Sequence, residues 1–305
     1  MATRPLVVWL FAVVTAVGQA SAQQSSPCTN LEVTGGYLLM AREHDRNSPL
    51  VTAAASESTV VGMSDLEGNY EPGFEVSGRW SQLEVRYMQI STRNNAIAPA
   101  SGANQIVYQG DAYFSTLVLD YDTDLYSGEI NLFCSDPCDP IRLSGGFRYL
   151  RLNEDIAASF PGFTGVLFTQ TRNDLYGLQL GVDADLWNDP CSPFSLICTS
   201  KAGAYYSDTR LASFPNAAGA VTLGSTSDSS ERCAFVGELG LLGRAQVTRR
   251  ITVDCGYNLL VITGVALAGD QPQSVDMQPN QPATSHIENG DVLYHGLVAR
   301  ATVSF

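Results

Sequence analysis

The sequence predicts an all-β fold: a single antiparallel transmembrane β-barrel of about ten strands, preceded by a cleaved signal peptide over residues 1–22. Three observations predict it. Apolar and polar residues alternate with period two along most of the 305-residue chain. Short and long connections alternate between the strands. Charge is scarce, 16% of residues against about 25% in an ordinary soluble domain, yet the mean hydropathy is zero. The formal net charge of −14, with no basic stretch, argues against a nucleic-acid partner.

The N-terminus reads as an export signal. Arg4 is followed by an apolar core over 6–18 and by Ala20-Ser21-Ala22, an A-x-A cleavage pattern. Those 13 residues fall short of the about 20 that a membrane helix needs. Seven cysteines follow, in a compartment that permits disulfides. The close spacing of Cys134 with Cys138, and of Cys191 with Cys198, predicts small local disulfides in turns.

The strands are read in order as 32–41, 73–80, 82–91, 112–133, 142–154, 167–187, 194–207, 231–247, 251–267 and 292–305. The clearest is Asp174 to Trp187, where Tyr176, Leu178, Leu180 and Val182 alternate with Gly177, Gln179, Gly181 and Asp183. Phe235, Leu239, Leu241 and Ala245 oppose Glu238, Gly240, Arg244 and Gln246. Ile251, Val253, Cys255 and Tyr257 oppose Thr252, Asp254, Gly256 and Asn258. In 112–133, Asp120, Asp122 and Asp124 mark a place where a turn would split the strand and raise the count to twelve.

Alternation alone also fits a soluble exported β-sandwich. Two features favour the membrane barrel. The polar faces are rich in glycine and small residues, as a crowded interior requires. Short connections at 79–82, 134–141, 188–193 and 248–250 alternate with long ones at 42–72, 92–111, 155–166, 208–230 and 268–291. Short turns at one end and long loops at the other are the outer-membrane arrangement. The chain ends Ala301-Thr302-Val303-Ser304-Phe305, an alternating strand with a terminal aromatic. Bacterial barrels commonly finish this way, which makes Phe305 the expected signal to the barrel assembly machinery.

Several stretches carry a family resemblance, in this order: Gly145–Glu154 (GGFRYLRLNE), Thr171–Gly181 (TRNDLYGLQLG), Ser200–Tyr206 (SKAGAYY), Ala234–Leu241 (AFVGELGL), Gly264–Ala268 (GVALA) and Tyr294–Gly296 (YHG). Over about residues 70–305 the chain resembles the beta-barrel porin family 7 of planctomycete-type bacteria. The resemblance implies an outer-membrane location and a barrel fold, and supplies no transported solute.

If the apolar positions face lipid, the charged strand residues face inward. These are Glu75, Arg79, Glu84, Arg86, Glu129, Arg148, Glu238, Arg244, Asp254 and Arg300. Five acids meet five arginines, a balance that suits ion pairs filling the lumen better than a single-sign selectivity filter. An ion pathway lined by them is the alternative. About eight strands leave an interior just filled by side chains, so ten or twelve leave at best a narrow pore. No cofactor motif and no metal-ligand cluster is present; with only His44, His286 and His295, no catalytic constellation stands out. The functional expectation is therefore a non-enzymatic envelope barrel, structural or a narrow pore, with outer-membrane lipid as its surroundings. A surface-recognition barrel acting through long outer loops is the second expectation.

Overall fold

The computed structural model describes residues 31–44, 48–100, 105–109, 111–134, 139–161, 165–189, 192–217, 224–276 and 282–305. The expected signal peptide and Cys28, Cys138 and Cys191 lie outside the described residues. Ten strands form a closed barrel: β1 (Leu31–His44), β2 (Tyr70–Trp80), β3 (Leu83–Ala98), β4 (Leu117–Phe133), β5 (Ile141–Ser159), β6 (Gly165–Asn188), β7 (Phe194–Ala217), β8 (Thr226–Gln246), β9 (Ile251–Val265) and β10 (Gly290–Ser304). Each pairs antiparallel with its sequence neighbours, and β1 closes the ring against β10, Glu32 opposite Ser304 and His44 opposite Val292. Closure leaves the wall no free edge. It also excludes the soluble β-sandwich.

All ten expected strands are present, and the twelve-strand alternative is not. Asp120, Asp122 and Asp124 lie within β4, opposite Asn95, Arg93 and Ser91 of β3. They point outward while Leu117, Leu119, Tyr121, Thr123 and Leu125 point inward and are buried. Alternation thus survives the aspartates, and no turn is needed. Residues 111–113 form a separate short strand that joins 49–53, 59–62 and 106–108 in a small four-stranded sheet.

Several of the expected long loops are wall. Strand β3 runs to Ala98, β5 to Ser159, β7 to Ala217, and β8 starts at Thr226. The reason is visible on the outward face. Nearer the short turns it is apolar: Leu178 and Leu180 are 73% and 74% exposed, and Leu132, Ile130, Val85, Leu143, Leu241 and Leu297 are exposed as well. Farther along, the same face becomes polar, with Asp124, Asp122 and Asp120 on β4, Arg172 and Gln170 on β6, and Asp208 and Arg210 on β7. The strands keep their period; only the solvent outside them changes. Nine strands carry an outward aromatic close to that boundary: Tyr37, Phe74, Tyr87, Tyr126, Tyr149, Tyr176, Tyr206, Phe235 and Tyr257. Such a girdle is where amphipathic rings sit at a bilayer interface. The polar strand ends beyond it form a crown outside the apolar belt.

The hairpin between β2 and β3 shows how tightly the opposite end turns. Trp80 pairs with Leu83 across two residues, and Ser81 takes φ +54°, the sign that two-residue hairpin turns require. The interior is crowded as expected. A Cβ on Gly296 would lie 2.0 Å from the Leu39 carbonyl oxygen, and one on Gly256 2.0 Å from that of Leu241. The expected turn disulfides pair Cys134 with Cys138 and Cys198 with Cys191, and so rest on residues outside the described ones. Cys134 and Cys198 are free, as are Cys233 and Cys255.

Candidate functional site in the barrel lumen

The interior is stacked in levels, set by how far each inward residue stands from the short turns. The first level holds the ten expected lumen charges. Glu75, Arg79, Arg86, Glu129, Arg148, Glu238 and Asp254 are buried, and Glu84, Arg244 and Arg300 are partly so. Arg86 is the hub. Its Nε donates to Glu75 Oε2 at 3.0 Å, its Nη1 to Glu129 Oε1 at 3.3 Å and its Nη2 to Glu238 Oε1 at 2.8 Å. Arg148 donates from Nη1 to Glu238 Oε2 at 3.1 Å and from Nε to Ser127 Oγ at 2.8 Å. Arg300 pairs with the other side of Glu75. Arg244 grips Asp254 with two bonds, 2.7 and 2.9 Å. A planar guanidinium matches a carboxylate in this bidentate way.

Sequence reasoning left out several members of this network. Lys201, the one lysine of the chain, donates to Glu129 Oε2 at 2.7 Å and lies 3.7 Å from Glu84. Gln179 bridges Glu129 and Asn131 at 2.9 and 2.8 Å, Tyr205 donates to Gln179, and Asn258 donates to Glu238 at 3.2 Å. The signal was available for Lys201. It alternates with Ala202, Ala204 and Tyr206 and faces Glu238 in the β7–β8 register. Arg142, paired with Asp183 at 3.5 Å, was missed in the same way. Ion pairs at this level are consistent with a filled lumen: each of these buried charges except Arg79 keeps an oppositely charged partner that offsets part of its desolvation.

The second level corrects the expectation of a polar interior. Leu38, Leu125, Leu150, Leu152 and Leu175 have no accessible surface, and Met40, Ile90, Tyr205, Leu260 and Tyr294 have about 1%. With Met88, Val236 and Ile262 they form one apolar cluster drawn from nearly every strand. Gly73 completes the ring on β2, where a Cβ would lie 2.7 Å from the Gln89 carbonyl oxygen.

Above the apolar level, Arg42 joins Glu154 at 2.5 Å and also pairs with Glu67. Segment 266–276 folds down over this pair. Ala268 N donates to Glu154 Oε2 at 2.7 Å, and Asn173 both accepts from Ala266 N and donates to its carbonyl. His44 sits at the end of β1, buried, 3.1 Å from Asp270, and Ser48 donates to the same carboxylate. Since Ser48 bonds to the acid and not to the imidazole, the three do not line up as nucleophile, base and orienter. A second apolar core fills the crown: Leu50, Val51, Val61, Met63 and Leu66 from the inward-folded segments pack with Leu119, Tyr121, Ile156 and Leu167 of the wall. His286 is exposed near Glu288. On the outer surface, His295 lies between Glu43 at 3.1 Å and the Tyr257 hydroxyl at 2.5 Å. Among the described residues no group of three His, Cys, Asp or Glu side chains is placed to hold a metal ion.

A vestibule lies open at the turn end. It encloses about 170 Å³ and is lined by Glu32, Arg79, Glu84, Arg142, Asp183, Lys201, Arg244 and Arg300 among others. Its floor is the Arg86–Glu238 level, and the apolar level lies beyond.

No family model matches the chain, and no curated protein matches it in sequence. Among solved structures, the chain is similar to the outer membrane protease OmpT from Escherichia coli, with a TM-score of 0.51 at 10% identity over 93% of this chain and 99% of that one. The toluene transporter TodX of P. putida matches with a TM-score of 0.32 at 8% identity, covering 92% and 91% of the two chains. The Ralstonia pickettii toluene transporter TbuX matches at 0.32 and 6%, covering 91% and 90%. The likeness to OmpT is one of fold: the chain has the closed antiparallel architecture of an outer-membrane β-barrel.

Proposed function

We propose that this protein is a sealed structural barrel of the bacterial outer membrane that holds its crown above the bilayer and conducts no solute. One observation carries the reading. The apolar level is one cluster drawn from nearly every strand, and its side chains have almost no accessible surface. Of the two roles expected from the sequence, structural element and narrow pore, the filled interior favours the first. The outward apolar belt and the aromatic girdle favour residence in a membrane. Phe305, whose amide donates to the Leu31 carbonyl where β1 and β10 close the ring, is read as the C-terminal signal for barrel assembly. The family resemblance of about residues 70–305 implies the same location. The protease activity in the name of OmpT stays with OmpT; at 10% identity no residue role is carried across, and the barrel is read as non-catalytic.

The test is solute efflux. The purified protein, folded into lipid vesicles loaded with a small dye or with sugar, should leave efflux at the level of empty vesicles. Efflux proportional to the amount of folded barrel would overturn the reading.

A second role, surface recognition, is favoured by the crown itself. It is a platform with its own apolar core and exposed charged strand ends. Replacing exposed Arg93, Arg172 and Arg210 together should then abolish partner capture while the barrel keeps its folded gel mobility.

A further inference from the structure

We propose that the turn-end vestibule binds a small oxyanion, a carboxylate or phosphate group, on Arg79 and Arg142. The cavity of about 170 Å³ is closed on its inner side by the ion-pair level and is reached from the end that carries the short turns and both strand termini. In the orientation common to such barrels that end faces the periplasm, so the ligand would come from there.

The charges lining the vestibule are not equivalent. Among the described residues, Arg86, Arg142, Lys201, Arg244 and Arg300 each have a carboxylate within ion-pair distance. Arg79 has none. Its Nε donates to the Ser81 carbonyl at 3.3 Å, its guanidinium lies 4.0 Å from the centre of the Phe133 ring, and its Nη2 is buried with no hydrogen-bond partner. The side chain is 8% exposed. Glu32 stands opposite it in the β1–β2 register, but no ion pair joins them.

Three features make this a built arrangement. The ring of Phe133 and the carbonyl of Ser81 hold the guanidinium in place, and Ser81 adopts its left-handed conformation in the same tight turn. An unpaired, mostly desolvated cation is costly, and an entering oxyanion would supply the missing acceptor. Arg142 lines the same cavity and holds Asp183 at 3.5 Å, which leaves it able to contribute a second fork. A guanidinium presents parallel N–H donors that suit either a carboxylate or a phosphate.

Titration calorimetry on the full-length barrel in detergent micelles tests this, with inorganic phosphate and acetate as separate probes and chloride at equal ionic strength as the blank. The expected result is saturable binding of at least one probe. It should weaken by about tenfold to a hundredfold in Arg79→Gln, the loss of a charge-assisted bond, and severalfold in Arg142→Gln. The tighter probe names the class of group. Arg79→Lys retains the charge but not the fork, so it should fold as the parent does and bind with intermediate affinity; this covers a folding failure of the glutamine variant. Arg93→Gln, on the outer face, should bind like the parent. Absence of saturable binding to either probe, or equal affinity in the parent and in both Arg79 variants, would overturn the assignment.

Discussion

Glu238 illustrates what single residues do in this lumen. It accepts from Arg86, Arg148 and Asn258 and is buried. Glu238→Gln keeps the shape but takes one carboxylate from Arg86, which retains Glu75 and Glu129, and leaves Arg148 with Glu129 alone at 3.5 Å; removing one partner of a buried ion pair costs about 3–5 kcal/mol. Urea unfolding from lipid vesicles should show a loss of that order; a loss below about 1 kcal/mol, the range of an exposed pair, would mean that water reaches the network. In the crown, Asp155 faces Asp122 directly across the β4–β5 ladder. Burial, with the charges of Asp122 and Asp124 adding to it, raises its carboxyl above the usual range. The folded state therefore holds this proton more tightly than the unfolded one, and stability falls as pH rises from the unfolded value through the folded one. Asp155→Asn should stabilise the crown at neutral pH and flatten that slope above about pH 4, the ordinary aspartate value, read by proteolysis of the crown. An unchanged slope would remove Asp155 from the account. The ten lumen charges were legible because an acid or an arginine in a period-two strand leaves little doubt about its face. Lys201 follows the same rule, but its signal is weaker because its neighbours Gly203 and Ala202 are small and blur the contrast. The apolar level was hidden for a related reason. Leu38, Leu150 and Leu260 sit beside lipid-facing Leu39, Tyr149 and Leu259, so both faces are apolar and the alternation vanishes.

At the scale of the element, strands β6 and β7 have 24 residues each, well beyond the about 9–11 that a bilayer requires. Position along such a strand decides what a substitution does. Leu178→Arg, within the apolar belt, should cost about 2–4 kcal/mol of folding free energy in vesicles, whereas Gln170→Arg, beyond the girdle, should cost about 0–1. Equal costs would mean that the belt has been placed at the wrong height. The same strands make deletion of 208–230 more than a loop removal, since 208–217 and 226–230 are wall; the variant should fail to close rather than merely lose a surface feature, seen as loss of heat-modifiable gel mobility. The strands were legible in the sequence to within a few residues at the short-turn end. Their other ends were not, because an expectation of lipid on one face ends each strand where that face becomes polar. Sheet pairing continued in water, with Asp208 opposite Asp174 and Glu231 opposite Asp208. Inward residues such as Leu211 and Ile156, which pack in the crown, are what sustain it.

At the scale of the molecule, scarce charge and zero mean hydropathy result from three surfaces averaged together: an apolar belt, an ion-paired and apolar interior, and a polar crown. Ten strands are enough to enclose a core but too few to leave a channel once that core is filled. The levels alternate along the axis, ionic, apolar, ionic and apolar, so the molecule is held together from inside while its belt faces lipid. Single-channel recording in planar bilayers tests the proposed sealed lumen most directly, comparing the parent with a variant in which Leu125, Leu150 and Leu175 are changed to Gly. The account predicts a silent parent and discrete conductance steps in the variant. Steps of similar size in both would contradict it.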